Sequence, residues 1–222
     1  MSGSPRRLPP GLVALTTGEL ASAGGGLHLI RGIAPWLRNL DRALQAGLPG
    51  VLMREPGLLD GDFHALLGEL VLRARPAGAW VAVHDRAHLV PSSGADGVHL
   101  GFRSLPPAVV REVLGSGPGV GLSTHAGDAP SDASTCDWRT FGPVYPTPSK
   151  QGLLKPTGLG LLAEEAQRGA PVWALGGLTP ARAPEVLATG VRGLFVRGAL
   201  LGAQDPARAT ANFLRALEGA SR

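Results

Sequence analysis

The stretch "VWALGGLTP", Val172–Pro180, decides the fold. Its apolar run reads as a strand, Gly176-Gly177 as a sharp turn, Thr179 as a helix N-cap and Pro180 as the first helical residue. Apolar residues fill both parities of the run, which is the pattern of a strand covered on both faces in a parallel sheet. The same unit recurs outward in both directions. Strands are expected at Leu12–Thr16, Gly50–Arg54, Ala79–Asp85, Gly97–Leu100, Val120–Ser123, Trp138–Gly142, Val172–Gly176 and Gly193–Arg197. Helical patterns run over Pro35–Gly47, from an Asp60 cap onward with apolar positions at Phe63, Leu66, Leu67, Leu70 and Val71, over Pro106–Leu114, and from about Thr157. Asp205-Pro206 repeats the cap-then-proline device before the last helix. Eight strands alternating with helices predict an α/β fold, a single (β/α)8 TIM barrel spanning residues 1–222; an open doubly wound sheet is the alternative. Residues 1–10 read as a flexible tail. The stretch Gly18–Ile33 is too long for a simple βα loop and reads as a lid or a long turn, with Leu27–Ile30 a further strand candidate.

Composition narrows the function. The 222 residues include Gly 33 and Pro 20, scattered without a fixed period, so frequent turns are expected rather than collagen or disorder. Net charge is +4 without a Lys/Arg run, and 5% of residues are aromatic, so no nucleic-acid stripe is expected; the arginines suit small anionic ligands. Cys136 is the sole cysteine, which excludes an internal disulfide or a cysteine metal cluster and points to a reducing, cytoplasmic setting. No apolar run reaches the roughly 18 residues a membrane span needs. The start "MSGSPRRLPPG" is followed by "LVALTTGEL", too broken to act as a signal-peptide core.

Barrel active sites form where strands end at the C-terminal face. There the chain places Arg54, His84, Asp85, Ser123, His125, Thr147, Ser149, Lys150, Gly176, Gly177, Arg197 and Gly198. Arg103 follows the fourth strand. Gly176-Gly177 and Arg197-Gly198 fall in the last two βα loops, where backbone N–H groups reach an anion in many barrels. In "FGPVYPTPSKQG", Phe141–Gly152, the Thr147 and Ser149 hydroxyls and the Lys150 ammonium suit phosphate oxygens, and flanking prolines stiffen the loop. His125, just past a strand, is the candidate for moving a proton. His99 lies within a strand and reads as structural; His28, His64 and His88 read as surface or packing residues. No zinc-ligand spacing, serine-nucleophile elbow or P-loop occurs.

Taken in order, "VHDR", "GVHLG", "GLSTH", "FGPVYPTPSKQG", "ALGGLTP" and "VRGAL" resemble the thiamine-phosphate synthase/TenI superfamily, over roughly Leu12–Leu214. The resemblance implies a small barrel that takes a thiazole phosphate, held by Thr147, Ser149, Gly177 and the Arg197-Gly198 backbone. Synthase members couple that thiazole to an aminopyrimidine diphosphate with magnesium and release diphosphate. TenI-like members aromatise a carboxythiazole phosphate by proton transfer, for which His125 matches the transferring histidine, and need no cofactor. A synthase usually shows Gln-x-Arg-x-Lys after the second strand, where this chain has Leu52-Met53-Arg54-Glu55-Pro56 and keeps only the arginine. It usually shows Asn-Asp where His84-Asp85 stand, and Gly-Gln-x-Asp where Gly101-Phe102-Arg103-Ser104 stand. Asp85 is then the one magnesium ligand left if the chain is a synthase, with Arg103 replacing part of the lost cationic charge. These departures favour the thiazole tautomerase; synthase activity is the alternative, and a non-catalytic binder of a thiamine precursor is a second one. The family also makes a homo-oligomer an expectation.

Overall fold

A computed structural model describes residues 8–22, 32–128, 135–147 and 155–220. Its strands are β1 (Leu12–Leu15), β2 (Gly50–Met53), β3 (Trp80–His84), β4 (Gly97–Leu100), β5 (Gly119–Thr124), β6 (Trp138–Phe141), β7 (Val172–Leu175) and β8 (Gly193–Val196). All pair in parallel in chain order, and β8 returns to β1 to close the barrel. The helices are α1 (Ile33–Gln45), α2 (Asp60–Ala74), α3 (Val90–Ser93), α4 (Pro107–Leu114), α5 (Gly158–Ala166), α6 (Ala183–Leu187) and α7 (Pro206–Ala220). The open-sheet alternative is thereby set aside. Among the described residues no helix is long and apolar enough to cross a membrane.

Strand parity sorts the apolar residues into two layers. Leu12, Ala14, Val51, Met53, Val81 and Val83 belong to the large cluster shared with the helices. Val13, Leu15, Leu52, Trp80, Ala82, Trp138, Trp173 and Phe195 form a second cluster inside the barrel. Trp80 and Trp138 meet edge to face at 5.6 Å, a geometry that the ring quadrupoles favour. Gly121 makes room for this ring: a Cβ there would fall 2.1 Å from the Trp138 indole. At the end opposite the strand C-termini, Asp96 and Asp137 accept the backbone N–H groups of Val81 and Val120 at 2.8 Å and pair with Arg75 and Arg111.

Local details differ from expectation for identifiable reasons. Asp85 is not strand: its φ is +65°, a left-handed conformation that aspartate tolerates better than most residues. Asp60 is the first residue of α2 rather than its cap, and its carboxylate pairs with Arg86 and His88. Thr157 and Thr179 occupy N-cap positions without a side-chain cap, and Pro180 opens a 3-10 turn ahead of the short α6. Asp205 does cap, accepting the Arg208 N–H at 3.2 Å. Pro9 is buried and the Pro10 carbonyl accepts the Trp173 indole N–H at 2.8 Å. That end of the expected 1–10 tail is therefore packed, while residues 1–7 lie outside the described ones, as does the strand candidate Leu27–Ile30.

Candidate active site

A cavity of about 830 Å³ opens at the strand C-termini. Arg54, His84, Asp85, Arg103, Ser123, His125, Thr147, Gly176, Gly177, Arg197 and Gly198 all line it, so the residues singled out along the sequence converge in space. Ser149 and Lys150 lie outside the described residues. The floor is apolar and aromatic, with Leu15, Leu52, Leu175 and Phe195 beside His99. His99 is buried, stacks on Trp138 at 6.1 Å, and its Nε2 lies 3.1 Å from the Thr140 hydroxyl. Burial pushes its pKa down to about 3, and the nearby His84 adds to the effect. His99 is thus a neutral core imidazole, as its place within a strand suggests.

One side of the cavity is framed by the glycine pair after β7. Gly176 and Gly177 have φ of 101° and 66°, and the loop after β6 presses against them. A Cβ on Gly177 would fall 2.6 Å from Tyr145 Cβ and 2.8 Å from the Pro146 carbonyl. The Gly176 carbonyl accepts the Tyr145 N–H at 3.1 Å, which locks the two loops together. Arg182 donates to the Gly177 carbonyl at 2.7 Å while its guanidinium lies 4.3 Å over the Tyr145 ring. Sequence reading missed Arg182, because its role depends on a 3-10 turn that swings it back over the glycine pair. The short α6 supplies little dipole, so the positive potential falls to side chains.

Those side chains are arginines. Arg54 and Arg197 border the same point, since a Cβ on Gly18 would lie 3.2 Å from Arg54 Nη1 and 3.3 Å from Arg197 Nη2. Arg197 is aimed by the Thr17 carbonyl, which accepts its Nε at 3.1 Å. The Arg54 pKa is lowered, first by burial and then by Arg197. Two like charges held together favour an anion between or above them. Glu55, buried at 1% exposure, fixes the segment that carries this arrangement. It accepts the N–H groups of Gly18 at 3.2 Å and Leu20 at 3.0 Å and the Trp36 indole N–H at 3.3 Å. With Arg103 and Arg182 also in the lining, four arginines face one carboxylate, Asp85, among the described residues.

The opposite side carries imidazoles. His125 follows β5; its Nδ1 lies 3.4 Å from Asp128 Oδ2, which accepts the His125 backbone N–H at 2.7 Å. His84 ends β3 with Nδ1 3.0 Å from Asp85 Oδ2. Asp85 Oδ1 accepts the Gly101 N–H at 3.2 Å and the Ser104 hydroxyl. Burial works to raise the Asp85 pKa, yet the bonds from His84 and Ser104, the His84 charge and the Gly101 N–H hold it well below the usual carboxylate range.

This arrangement bears on magnesium. The ion takes an octahedron of oxygens, one or two from protein carboxylates. Here both oxygens of Asp85, the one lining carboxylate among the described residues, already accept hydrogen bonds, and Ser104 stands where a synthase usually has its second aspartate. No group of three or more His, Cys, Asp or Glu able to hold a metal occurs among the described residues. One carboxylate already tied up in hydrogen bonds, with a serine in the second position, makes a weaker magnesium site than two free carboxylates would.

Comparison with known proteins places the chain in one family. The family profile described as "Thiamine monophosphate synthase" matches residues 30–200. A Geobacter sulfurreducens protein named "Putative thiamine-phosphate synthase" is 40% identical over 173 residues, covering 77% of this chain and 81% of its own. A Mycobacterium sp. (strain KMS) "Thiamine-phosphate synthase" is 39% identical over 190 residues, covering 80% and 84%. The solved structure "Thiamine phosphate pyrophosphorylase from Pyrococcus furiosus" superposes with a TM-score of 0.79 at 26% identity, covering 94% of this chain and 96% of that one. The relatives' names point to coupling rather than to tautomerisation. A closed barrel, a glycine pair in the loop after β7 and this extent of likeness agree: the chain belongs to the thiamine monophosphate synthase/TenI family.

Proposed function

We propose that this thiamine-biosynthesis barrel binds a thiazole phosphate and isomerises it, aromatising a carboxythiazole phosphate by proton transfer. The observation that carries this reading is the Asp85 carboxylate, whose two oxygens are spent on His84, Ser104 and Gly101. The phosphate sits against Gly177, Thr147 and the Arg197-Gly198 backbone, with Arg54 close by. Held there, the ring lies over the apolar floor, and His125 moves a proton between ring positions. Positioning lowers the entropic part of the barrier, and the imidazole supplies acid–base catalysis of about 10²–10⁴-fold. No metal or other cofactor is required in this reading.

Thiamine-phosphate synthase activity is the second reading. It is favoured by the name shared among relatives and by a cavity whose four arginines suffice for a diphosphate beside a monophosphate. In that case Arg54 and Arg103 neutralise the departing diphosphate. Purified protein is given the carboxythiazole phosphate tautomer in one assay, and thiazole phosphate, aminopyrimidine diphosphate and magnesium in another. Aromatisation without diphosphate release is the expected result. Diphosphate release at a turnover rate assigns the synthase instead, and ligand recovered unchanged from both assays makes the barrel a binder.

A further inference from the structure

We propose that His84, oriented by Asp85, is a second proton-transfer group of this site, working together with His125; the proposal rests on the tautomerase reading. Asp85 Oδ2 stands 3.0 Å from His84 Nδ1, which fixes the Nδ1–H tautomer and leaves Nε2 as the basic nitrogen. Asp85 is itself immobilised by the Gly101 N–H, the Ser104 hydroxyl and its own left-handed backbone. A base, an orienting carboxylate and a third group holding the carboxylate form a relay of the kind that positions an imidazole for proton transfer. His84 is partly open, at 21% of its side-chain surface, and lines the cavity together with His125. His99, 6.3 Å away, is fully stacked in the floor and takes no part.

The symmetry of the two histidines matters. Each has an aspartate oxygen near Nδ1, at 3.0 Å in His84 and 3.4 Å in His125, and each follows or ends a different strand around one cavity. A tautomerisation removes a proton at one position of the ligand and adds one at another. With two imidazoles, a neutral one accepts the first proton as the bonding electron pair moves into the conjugated system. A protonated one delivers the second proton to the far end. The ligand's proton count and charge are unchanged, the two histidines end with protonation states exchanged, and solvent at the open cavity resets them.

The test uses the whole protein, the carboxythiazole phosphate tautomer as substrate, and the variants His84→Ala and Asp85→Asn. For His84→Ala, kcat is expected to fall about 100-fold with KM within twofold, and added imidazole to restore part of the loss. Asp85→Asn, which suits the left-handed backbone, is expected to lower kcat about tenfold because the tautomer is no longer fixed. Protection by inorganic phosphate against thermal unfolding is the folding control. Wild-type kcat in either variant overturns the dyad. A loss that imidazole does not restore, with phosphate protection intact, makes His84 a packing residue and overturns it too. If the wild-type protein itself does not turn over the tautomer, the tautomerase reading falls first and the dyad with it.

Discussion

His99 makes the acid stability of this barrel predictable. Its ring is buried to 3% exposure on Trp138, with Nε2 against Thr140 and Nδ1 without a partner. In the unfolded chain the imidazole binds a proton below its ordinary value of 6.5; in the folded barrel it does so only near 3. Between those values the unfolded state holds more protons, so acidification favours it. Stability is therefore full above the unfolded value and is lost as pH falls toward the folded one. Each pH unit in that window costs on the order of 1 kcal/mol, so moving from about pH 7 to about pH 4.5 removes a few kcal/mol through this one group. That is a sizeable part of the roughly 5–15 kcal/mol that holds a domain folded. His99→Asn keeps an amide donor for Thr140 but cannot titrate. Urea unfolding of both proteins at the two pH values isolates the effect, since all other groups are shared. The variant is less stable at neutral pH, because it leaves a void beside Trp138, yet its free energy falls by a few kcal/mol less on acidification. Parallel losses, within about 0.5 kcal/mol, would refute the account of His99 as a buried neutral base.

Other expectations follow from the anion side. Gly177→Ala puts a Cβ against Tyr145 and the Pro146 carbonyl, so the glycine loop must shift; KM for the thiazole phosphate rises at least about tenfold, read from initial rates. Arg54→Met relieves the repulsion from Arg197, so the free protein is as stable as wild type or more so, while the rise in Tm produced by inorganic phosphate shrinks. Glu55→Gln leaves one of the Gly18 and Leu20 N–H groups facing an amide donor and costs about 2 kcal/mol in urea unfolding.

The barrel was legible because its strands are apolar at both parities and each ends in glycine or polar residues. Strand boundaries agree within two residues, and the parity that separates Val13 and Leu15 from Leu12 and Ala14 is visible in the sequence itself. The cavity lining was legible for a related reason: residues just past a buried strand have nowhere to go but the C-terminal face. What stayed hidden depends on contacts between distant segments. Arg54 and Arg197 meet across the closure of β8 on β1, 143 positions apart in the chain, around Gly18. The anchoring role of Glu55, just past the second strand, shows only once Gly18, Leu20 and Trp36 fold over it. Ser104 is an ordinary loop serine until the left-handed turn at Asp85 brings the carboxylate to it. Each case needs a backbone geometry that no local residue pattern encodes. The family likeness carried the ligand class, while the finer choice of reaction rests on how these few side chains are spent.

The most direct test of the central claim is the ultraviolet spectrum of a carboxythiazole phosphate tautomer mixed with catalytic amounts of the protein in the presence of a metal chelator. Multiple turnovers to the aromatic thiazole are predicted, at a rate that the chelator does not change. A spectrum that stays that of the tautomer, while the same protein with magnesium releases diphosphate from aminopyrimidine diphosphate and thiazole phosphate, would contradict it.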